Sequence, residues 1–310
     1  DASEDLLQAV LSEADKLAHE VWSPINHFGD QQGVTLTEGG VKTVEGFKEA
    51  YQAYAQGGWN SLYFDPQYGG QGLPFTFSMP VSEMMNAANM ALALCPMLTA
   101  GATEAIAAHG SDRLKDIYLG KMISGEWTGT MNLTEPHAGT DLAVITTTAT
   151  PDGDHFLVKG QKIYITWGDH SMTENIIHLV LARLPNSPQG VKGISLFLVP
   201  KILVNDDGSL GDSNDLKALS IEHKIGIHAC PTCVMSYGEE DGAIGYLVGE
   251  ENRGIQCMFT MMNNARLTVG LQGVSVSERA YQQALSFCNE RVQGIAPGFQ
   301  EPGPIARHPD

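Results

Sequence analysis

Twenty consecutive residues, Met84 to Thr103, carry no charge, and that run limits what the chain can fold into more than any other feature. A stretch this long and apolar is either a bilayer span or a helix enclosed on every side. Asn86, Asn89, Pro96, Thr99 and Gly101 interrupt it, and its apolar residues are mostly Ala and Met rather than Leu, Ile and Phe. That composition predicts a buried helix inside a large helical region and no membrane association. The preceding sequence agrees. Leu6, Leu7, Val10, Leu11, Ala14, Leu17, Ala18 and Val21 recur at three- and four-residue spacing, the mark of one buried helix face.

Residues 1–125 read as helical throughout. Phe47, Tyr51 and Tyr54 mark a helix ended by Gly57-Gly58, and "YFDPQYGGQGLP" (63–74) is a Gly/Pro-rich loop. The uncharged run extends to a helix from about Phe77 to His109, separated by Gly110-Ser111 from another at 111–124. The pattern then changes. "VITTTATPDGDHFLVKGQKIYITWG" (144–168) has β-branched runs around Pro-Asp-Gly-Asp, a hairpin signal. "IIHLVLARL" (176–184) and "GISLFLVPK" (193–201) are strand-like, and strand character resumes at "IEHKIGIHACPTCVMSYG" (221–238). From Glu250 to about Arg291 helical spacing returns, with Met258, Met261, Met262, Leu267, Val269, Leu271 and Val274. There is no internal repeat. The expected fold class is α+β: an N-terminal helical domain (1–125), a middle β domain (126–248) and the opening of a C-terminal helical domain (249–310).

The net charge of −18 argues against nucleic acid as a partner, because counterion release needs clustered Lys and Arg. An anionic small ligand needs only a few local cations and stays open. "NDDGSLGDSND" (205–215) is acidic, but it lacks the ligand spacing and terminal Glu of a calcium loop, so it reads as a solvated insertion. Cys230-Pro-Thr-Cys233 lacks the second pair a zinc site would need, and reads as small residues packed in a strand. No metal is expected. Five cysteines, an odd number in a long chain, suit a reducing compartment, and the segment from Asp1 shows no secretory pattern.

"MNLTEPHAGTDL" (131–142) crowds hydroxyls, a carboxylate, a proline and a glycine into one turn. By itself it is either a solvated turn or a loop shaped to grip a polar or anionic cofactor. "LTEPHAGTD" (133–141), "KIYITWG" (162–168), "NNARLTVGLQG" (263–273) and "ERVQG" (290–294) follow one another in an order and spacing that resemble the acyl-CoA dehydrogenases. The likeness runs over essentially the whole chain. It implies a helical domain, a middle β-barrel and the start of a helical bundle, with FAD as cofactor.

On that resemblance, Met131, Leu133 and Thr134 would line the flavin edge, and Gly139 and Thr140 would approach the pyrophosphate and substrate. A glycine permits close backbone approach, and a hydroxyl beside N–H groups suits phosphate oxygens. Tyr164 would pack on a flavin face where the family commonly has Trp, and Thr166 would hydrogen-bond near flavin N5. Read alone, a strand Tyr and Thr are packing residues. Arg291 and Gln293 match positions that reach the FAD of a neighbouring subunit, which implies a homodimer or homotetramer. Read alone, Arg291 is a solvated helix end. Asn263 and Arg266 match substrate-facing positions near the CoA pantetheine, or else form a polar helix face.

In the family a Glu removes the α-proton of an acyl-CoA thioester and the β-carbon delivers hydride to the flavin, which an electron-transfer flavoprotein reoxidises. One family location for that Glu is occupied here by Ala265, so the base is expected beyond Asp310, in a longer protein. Glu135 is not the family's base. The 63–74 loop, the 205–215 insertion and "SIEHKIGIHACPTCVM" resemble the subfamily that includes methylmercaptopropionyl-CoA dehydrogenase, which implies 3-(methylthio)propanoyl-CoA as substrate. A fatty-acyl-CoA dehydrogenase, an acyl-CoA oxidase and a base-less flavin-binding protein are the alternatives; the charge weighs against the DNA-binding relatives. The expected location is bacterial cytoplasm, or mitochondrial matrix in a eukaryote.

Overall fold

The computed structural model describes residues 3–309. Ser3 caps α1 (Glu4–Lys16), its hydroxyl accepting from the Leu6 N–H at 3.2 Å, with Glu4 and Asp5 in the first turn where carboxylates suit the positive helix end. The helix continues in wider turns over Leu17–Trp22, and α2 (Pro24–Gln32) follows with Pro24 at its first position. Where the periodicity predicts more helix, the chain instead forms a short hairpin, β1 (Thr35–Thr37) and β2 (Gly40–Lys42). Gly33 at φ 65 and Gly40 at φ 103 adopt backbone conformations that no helix contains.

The helix α3 (Phe47–Gln56) leads through the 63–74 loop to α4 (Phe75–His109). By length and composition α4 could cross a membrane, yet 67% of its most apolar stretch is buried inside the fold. It is broken once, at Asn89 (φ −156, ψ 85). The Asn89 side chain caps the second half by accepting from the Leu92 N–H at 3.1 Å, while Arg279 donates to the Ala87 and Ala88 carbonyls at 2.7 and 3.2 Å. Ser111 caps α5 (Asp112–Ser124).

The β region holds β3 (Trp127–Asn132), β4 (Thr148–Asp152), β5 (His155–Thr166), β6 (Asn175–Arg183), β7 (Ile194–Pro200), β8 (Ile202–Val204), β9 (Leu210–Ser213), β10 (Leu216–Ile221), β11 (Thr232–Tyr237) and β12 (Ala243–Val248). The main sheet runs β10-β11-β5-β12-β7-β6-β3, and β4 pairs with both β5 and β6. That double pairing closes β5, β12, β7, β6 and β4 into a barrel. Gly153-Asp154 makes the turn of the β4–β5 hairpin, as Pro-Asp-Gly-Asp predicts. The acidic segment forms the exposed tip of a β8–β9 hairpin. Residues 222–231, expected as strand, leave the sheet; Cys230 is buried in that loop, and Cys233 in β11.

Alternation along the central strands serves two cores. Val180, Ala182, Phe197 and Val199 fill the barrel, whereas Ile177, Leu179, Leu181, Leu196 and Leu198 face the helices. The last helix, α6 (Gly254–Glu290), starts against β7, where a Cβ on Gly254 would lie 2.3 Å from the Ser195 backbone. It then runs beside α4, with Gly101 giving way to Met261. Its outer face leaves Leu267, Val269, Val274, Tyr281 and Phe287 exposed.

Candidate functional site

The site is built from the end of β3, the turn that follows it, and the end of β5. Thr128, Thr130 and Asn132 point into the barrel, where Thr130 meets His178 Nδ1 at 2.8 Å and Tyr237 donates to Asn132 at 2.8 Å. Thr128 meets His170 Nε2 at 3.0 Å. Burial, reinforced by the Lys201 charge, depresses both histidines to about 3, so they are neutral at physiological pH. The opposite face of β3 carries Gly129 and Met131 toward the helices.

The Thr-Glu-Pro turn closes on itself. The Glu135 N–H donates to the Ala138 carbonyl at 2.8 Å and the Ala138 N–H returns the bond at 3.0 Å, leaving Pro136 and His137 exposed at the tip. Glu135 turns inward instead of toward any ligand. Its carboxylate accepts from the N–H and hydroxyl of Thr146 (2.7 and 2.9 Å), from those of Thr147 (3.0 and 2.6 Å), and from Lys162 Nζ (2.8 Å). Burial by itself would raise this carboxyl, but the Lys162 ammonium and the hydrogen bonds from Thr146 and Thr147 win and hold it near 2. Lys162, whose side chain is fully buried, also donates to the Leu133 carbonyl at 3.0 Å.

This cage docks the turn onto β5. The Ile163 N–H donates to the Thr134 carbonyl at 2.9 Å, which places Thr134 beside Tyr164. A Cβ on Gly139 would lie 3.6 Å from Thr134 Cγ2, an ordinary contact, so nothing in the chain itself fills the space next to Gly139. These contacts bring Thr134, Gly139 and the Ile163–Tyr164 strand end together, while Met131 and Leu133 pack on the core that faces the helices. Gly139 and Thr140 are exposed, and Tyr164 is 60% exposed. Among the described residues, the hydroxyls of Thr134, Thr140 and Thr166 have no protein hydrogen-bond partner. Tyr164 also holds φ 61, a left-handed conformation that a bulky residue adopts at a cost of order 1–3 kcal/mol. An exposed aromatic ring beside hydroxyls without protein partners can stack on a flat polar ligand.

Asn263 and Arg266 lie together on the exposed side of α6, Arg266 donating to Asn263 Oδ1 at 3.3 Å and stacking 5.4 Å over the Phe259 ring. Arg291 and Gln293 stand beyond the far end of α6, both exposed and 3.5 Å apart, and among the described residues nothing bonds them to the Thr134 edge. Sequence reasoning missed Lys162 as the anchor of the turn, and missed Glu104, which accepts from Tyr63 OH and Asn264 Nδ2, each at 2.8 Å. A lysine predicted inside a strand was the available signal for the first.

Comparison with known proteins shows the family. Residues 11–126 match the acyl-CoA dehydrogenase N-terminal domain, and residues 130–239 match the acyl-CoA dehydrogenase middle domain. The chain belongs to the acyl-CoA dehydrogenase family. It is 47% identical to 3-methylmercaptopropionyl-CoA dehydrogenase of Ruegeria pomeroyi over 309 residues, covering 99% of this chain and 52% of that protein. It is 38% identical to a butyryl-CoA dehydrogenase of Syntrophomonas wolfei, over 98% of this chain and 51% of that one. Among solved folds, an acyl-CoA dehydrogenase of Bacillus anthracis complexed with FAD superposes at a TM-score of 0.77 and 22% identity, covering 100% of this chain and 47% of its own. The chain therefore spans about half the length of the curated relatives it matches.

Proposed function

We propose that the protein is an FAD-dependent dehydrogenase of acyl-CoA thioesters that takes 3-(methylthio)propanoyl-CoA to methylthioacryloyl-CoA. The observation that carries the reading is the Thr134–Tyr164 edge: an exposed aromatic face ringed by unengaged hydroxyls and held rigid by the Glu135–Lys162 cage. Those residues fit a flavin. Tyr164 offers the flat apolar surface, Met131 and Leu133 the apolar flank, and Thr134 and Thr166 the hydrogen-bonding groups. Gly139 and Thr140 leave room and a hydroxyl for the pyrophosphate. FAD supplies the hydride-accepting chemistry when bound.

The chain's own residues bind and orient. Asn263, Arg266 and Thr140 contact the thioester substrate. Arg291 and Gln293 reach the cofactor of a neighbouring subunit in a homodimer or homotetramer, Arg291 with its planar fork on phosphate oxygens. Neither Glu135 nor position 265 offers a free carboxylate for the α-proton. Glu135 already accepts five hydrogen bonds, and Ala265 has no acid. An electron-transfer flavoprotein is the proposed acceptor, in bacterial cytoplasm or a mitochondrial matrix; the five free cysteines suit either.

An anaerobic titration of the purified protein with 3-(methylthio)propanoyl-CoA, butyryl-CoA and octanoyl-CoA, followed by flavin absorbance, tests the reading. The expected result is bleaching, strongest with the first. Stronger bleaching by butyryl-CoA would favour the fatty-acyl-CoA dehydrogenase alternative. A yellow protein that none of the three bleaches would leave FAD binding intact but point to a piece without its base or to a protein that is not a dehydrogenase, and a colourless protein that FAD does not restore would refute the cofactor assignment.

A further inference from the structure

The end of β5 is distorted twice. Lys162 pairs with Met235 and Ile165 with Cys233, so β5 carries one residue more than β11 between those pairs, and Tyr164 sits in that bulge at φ 61. Directly after it the Gly168 N–H donates to the Ile165 carbonyl at 3.1 Å, making a turn with Thr166 and Trp167 at its centre. Trp167 holds φ 53, the left-handed conformation that turns ordinarily give to Gly or Asn. The bulkiest side chain occupies a position suited to the smallest.

The contacts that keep it there reach beyond the β region. Trp167 is fully buried. Its ring stacks on Phe47 of α3, with centroids 6.5 Å apart and planes 28° apart, and meets the His170 ring edge-on at 5.5 Å. Its Nε1 donates at 3.0 Å to the carbonyl of Ala91, two residues past the break in α4 at Asn89. Its own N–H donates to the Pro231 carbonyl at 2.7 Å. Contacts from α3, α4 and the 222–231 loop thus over-determine one strained residue, which is how such strain persists, and it collects at ligand clamps. Filling a core does not call for a left-handed backbone.

We propose that Trp167 is a positioning residue for the cofactor: a buried peg by which the helical layer fixes the Thr166–Trp167 turn, and with it the direction of the Thr166 hydroxyl and the Tyr164 ring. The inference rests on the FAD reading. Trp167 has no surface from which to touch a ligand, so it acts only through its neighbours. Thr166 adjoins it in the turn, and Ile165, buried and paired with Cys233, carries the same constraint to Tyr164. Without the peg the turn is free to relax toward an ordinary φ, and that relaxation rotates the peptide unit next to Thr166.

Three substitutions test the peg. Trp167→Phe keeps a ring to stack on Phe47 but removes the bond to Ala91. Trp167→Asn suits the left-handed turn and removes the peg altogether. Trp22→Phe is the matched control, because Trp22 is equally buried and its Nε1 donates to the Ala50 carbonyl at 3.2 Å in the same helical core. The readouts are FAD affinity of the folded apoprotein and the fluorescence of the bound flavin at saturation. Trp167→Phe should weaken FAD binding by about fivefold, the scale of one net hydrogen bond, and brighten the bound flavin as Tyr164 quenches it less. Trp167→Asn should weaken binding further; if it does not fold, Trp167→Phe decides alone. Trp22→Phe should cost stability yet keep both flavin readouts within about twofold of wild type. If Trp167→Phe costs stability but moves neither readout, or Trp22→Phe moves them as far, Trp167 only fills the core and the inference is overturned. A Trp167→Asn protein that binds FAD like wild type overturns it too, because the turn would then suffice without the peg. A wild type that binds no FAD overturns the cofactor reading and the inference with it.

Discussion

Glu135→Gln is the substitution whose consequences follow most directly from the geometry. The carboxylate accepts bonds from Thr146, Thr147 and Lys162, and the lysine side chain has no exposed surface. An amide cannot accept at both ends, so one of its partners meets an N–H in place of an oxygen, at about 1–3 kcal/mol for an unsatisfied buried group. The larger cost is the buried ammonium left without a counter-charge, and breaking such a pair costs about 3–5 kcal/mol. That cost has a ceiling, because Lys162 can shed its proton. Deprotonating a lysine of ordinary value 10.5 at pH 7 costs about 4.8 kcal/mol, at about 1.4 kcal/mol per pH unit. The ceiling falls to about 2 kcal/mol at pH 9.

The sign of the pH effect follows. In the variant the unfolded chain keeps the Lys162 proton between pH 7 and 10.5 while the folded chain releases it, so stability rises with pH across that window. Chemical denaturation at pH 7 and pH 9 measures it. The expected loss is about 3–5 kcal/mol at pH 7, a fall in Tm on the order of 6–10 °C for a chain of this size, and about 1–1.5 kcal/mol less at pH 9, because burial already lowers wild-type Lys162 to about 8. A loss below about 1 kcal/mol, or one equal at both pH values, would refute the cage as the anchor of the turn. Flavin release should accompany the loss, because Thr134 and Gly139 ride on the same turn.

The barrel interior adds an acid-sensitive term. His170 and His178 are held near 3 by burial and Lys201, against an ordinary 6.5, so their contribution is complete above pH 6.5 and is lost as pH falls toward 3. By pH 5.5 each should have cost about 1.4 kcal/mol, readable as a shifted urea midpoint between pH 7.5 and 5.5, and a flat profile would count against neutral buried histidines. Tyr164→Gly should separate strain from binding: relief of φ 61 should leave the fold as stable or up to about 1 kcal/mol more so, while loss of the ring weakens FAD binding. Thermal unfolding of the FAD-free protein together with a flavin fluorescence titration would show whether the two effects part.

Much of the architecture was written in local pattern. The uncharged run became α4, Pro-Asp-Gly-Asp became the β4–β5 turn, and helical spacing after Glu250 became α6. The Thr-Glu-Pro turn and the Tyr164–Thr166 strand end also stood out, because each carries a distinctive short sequence. These features depend on hydrophobic period and turn chemistry, which act over a few residues. Residues 35–42, within a region read as helical as a whole, form a hairpin, and Gly33 and Gly40 at positive φ fit no helix.

What tertiary structure alone decided is which groups meet. Lys162 finds Glu135 27 residues away, and Glu104 finds Tyr63 and Asn264 at separations of 41 and 160 residues. No local period encodes such pairs. They form because burial strips water from each polar group, and only the packed arrangement of β3, β5, α4 and α6 offers a partner in its place. By itself the sequence determined that there would be a helical region, a β region and a polar turn at the start of the β region. The fold decided that the carboxylate of that turn would face inward as an anchor, leaving the hydroxyls and the Tyr164 ring to face outward.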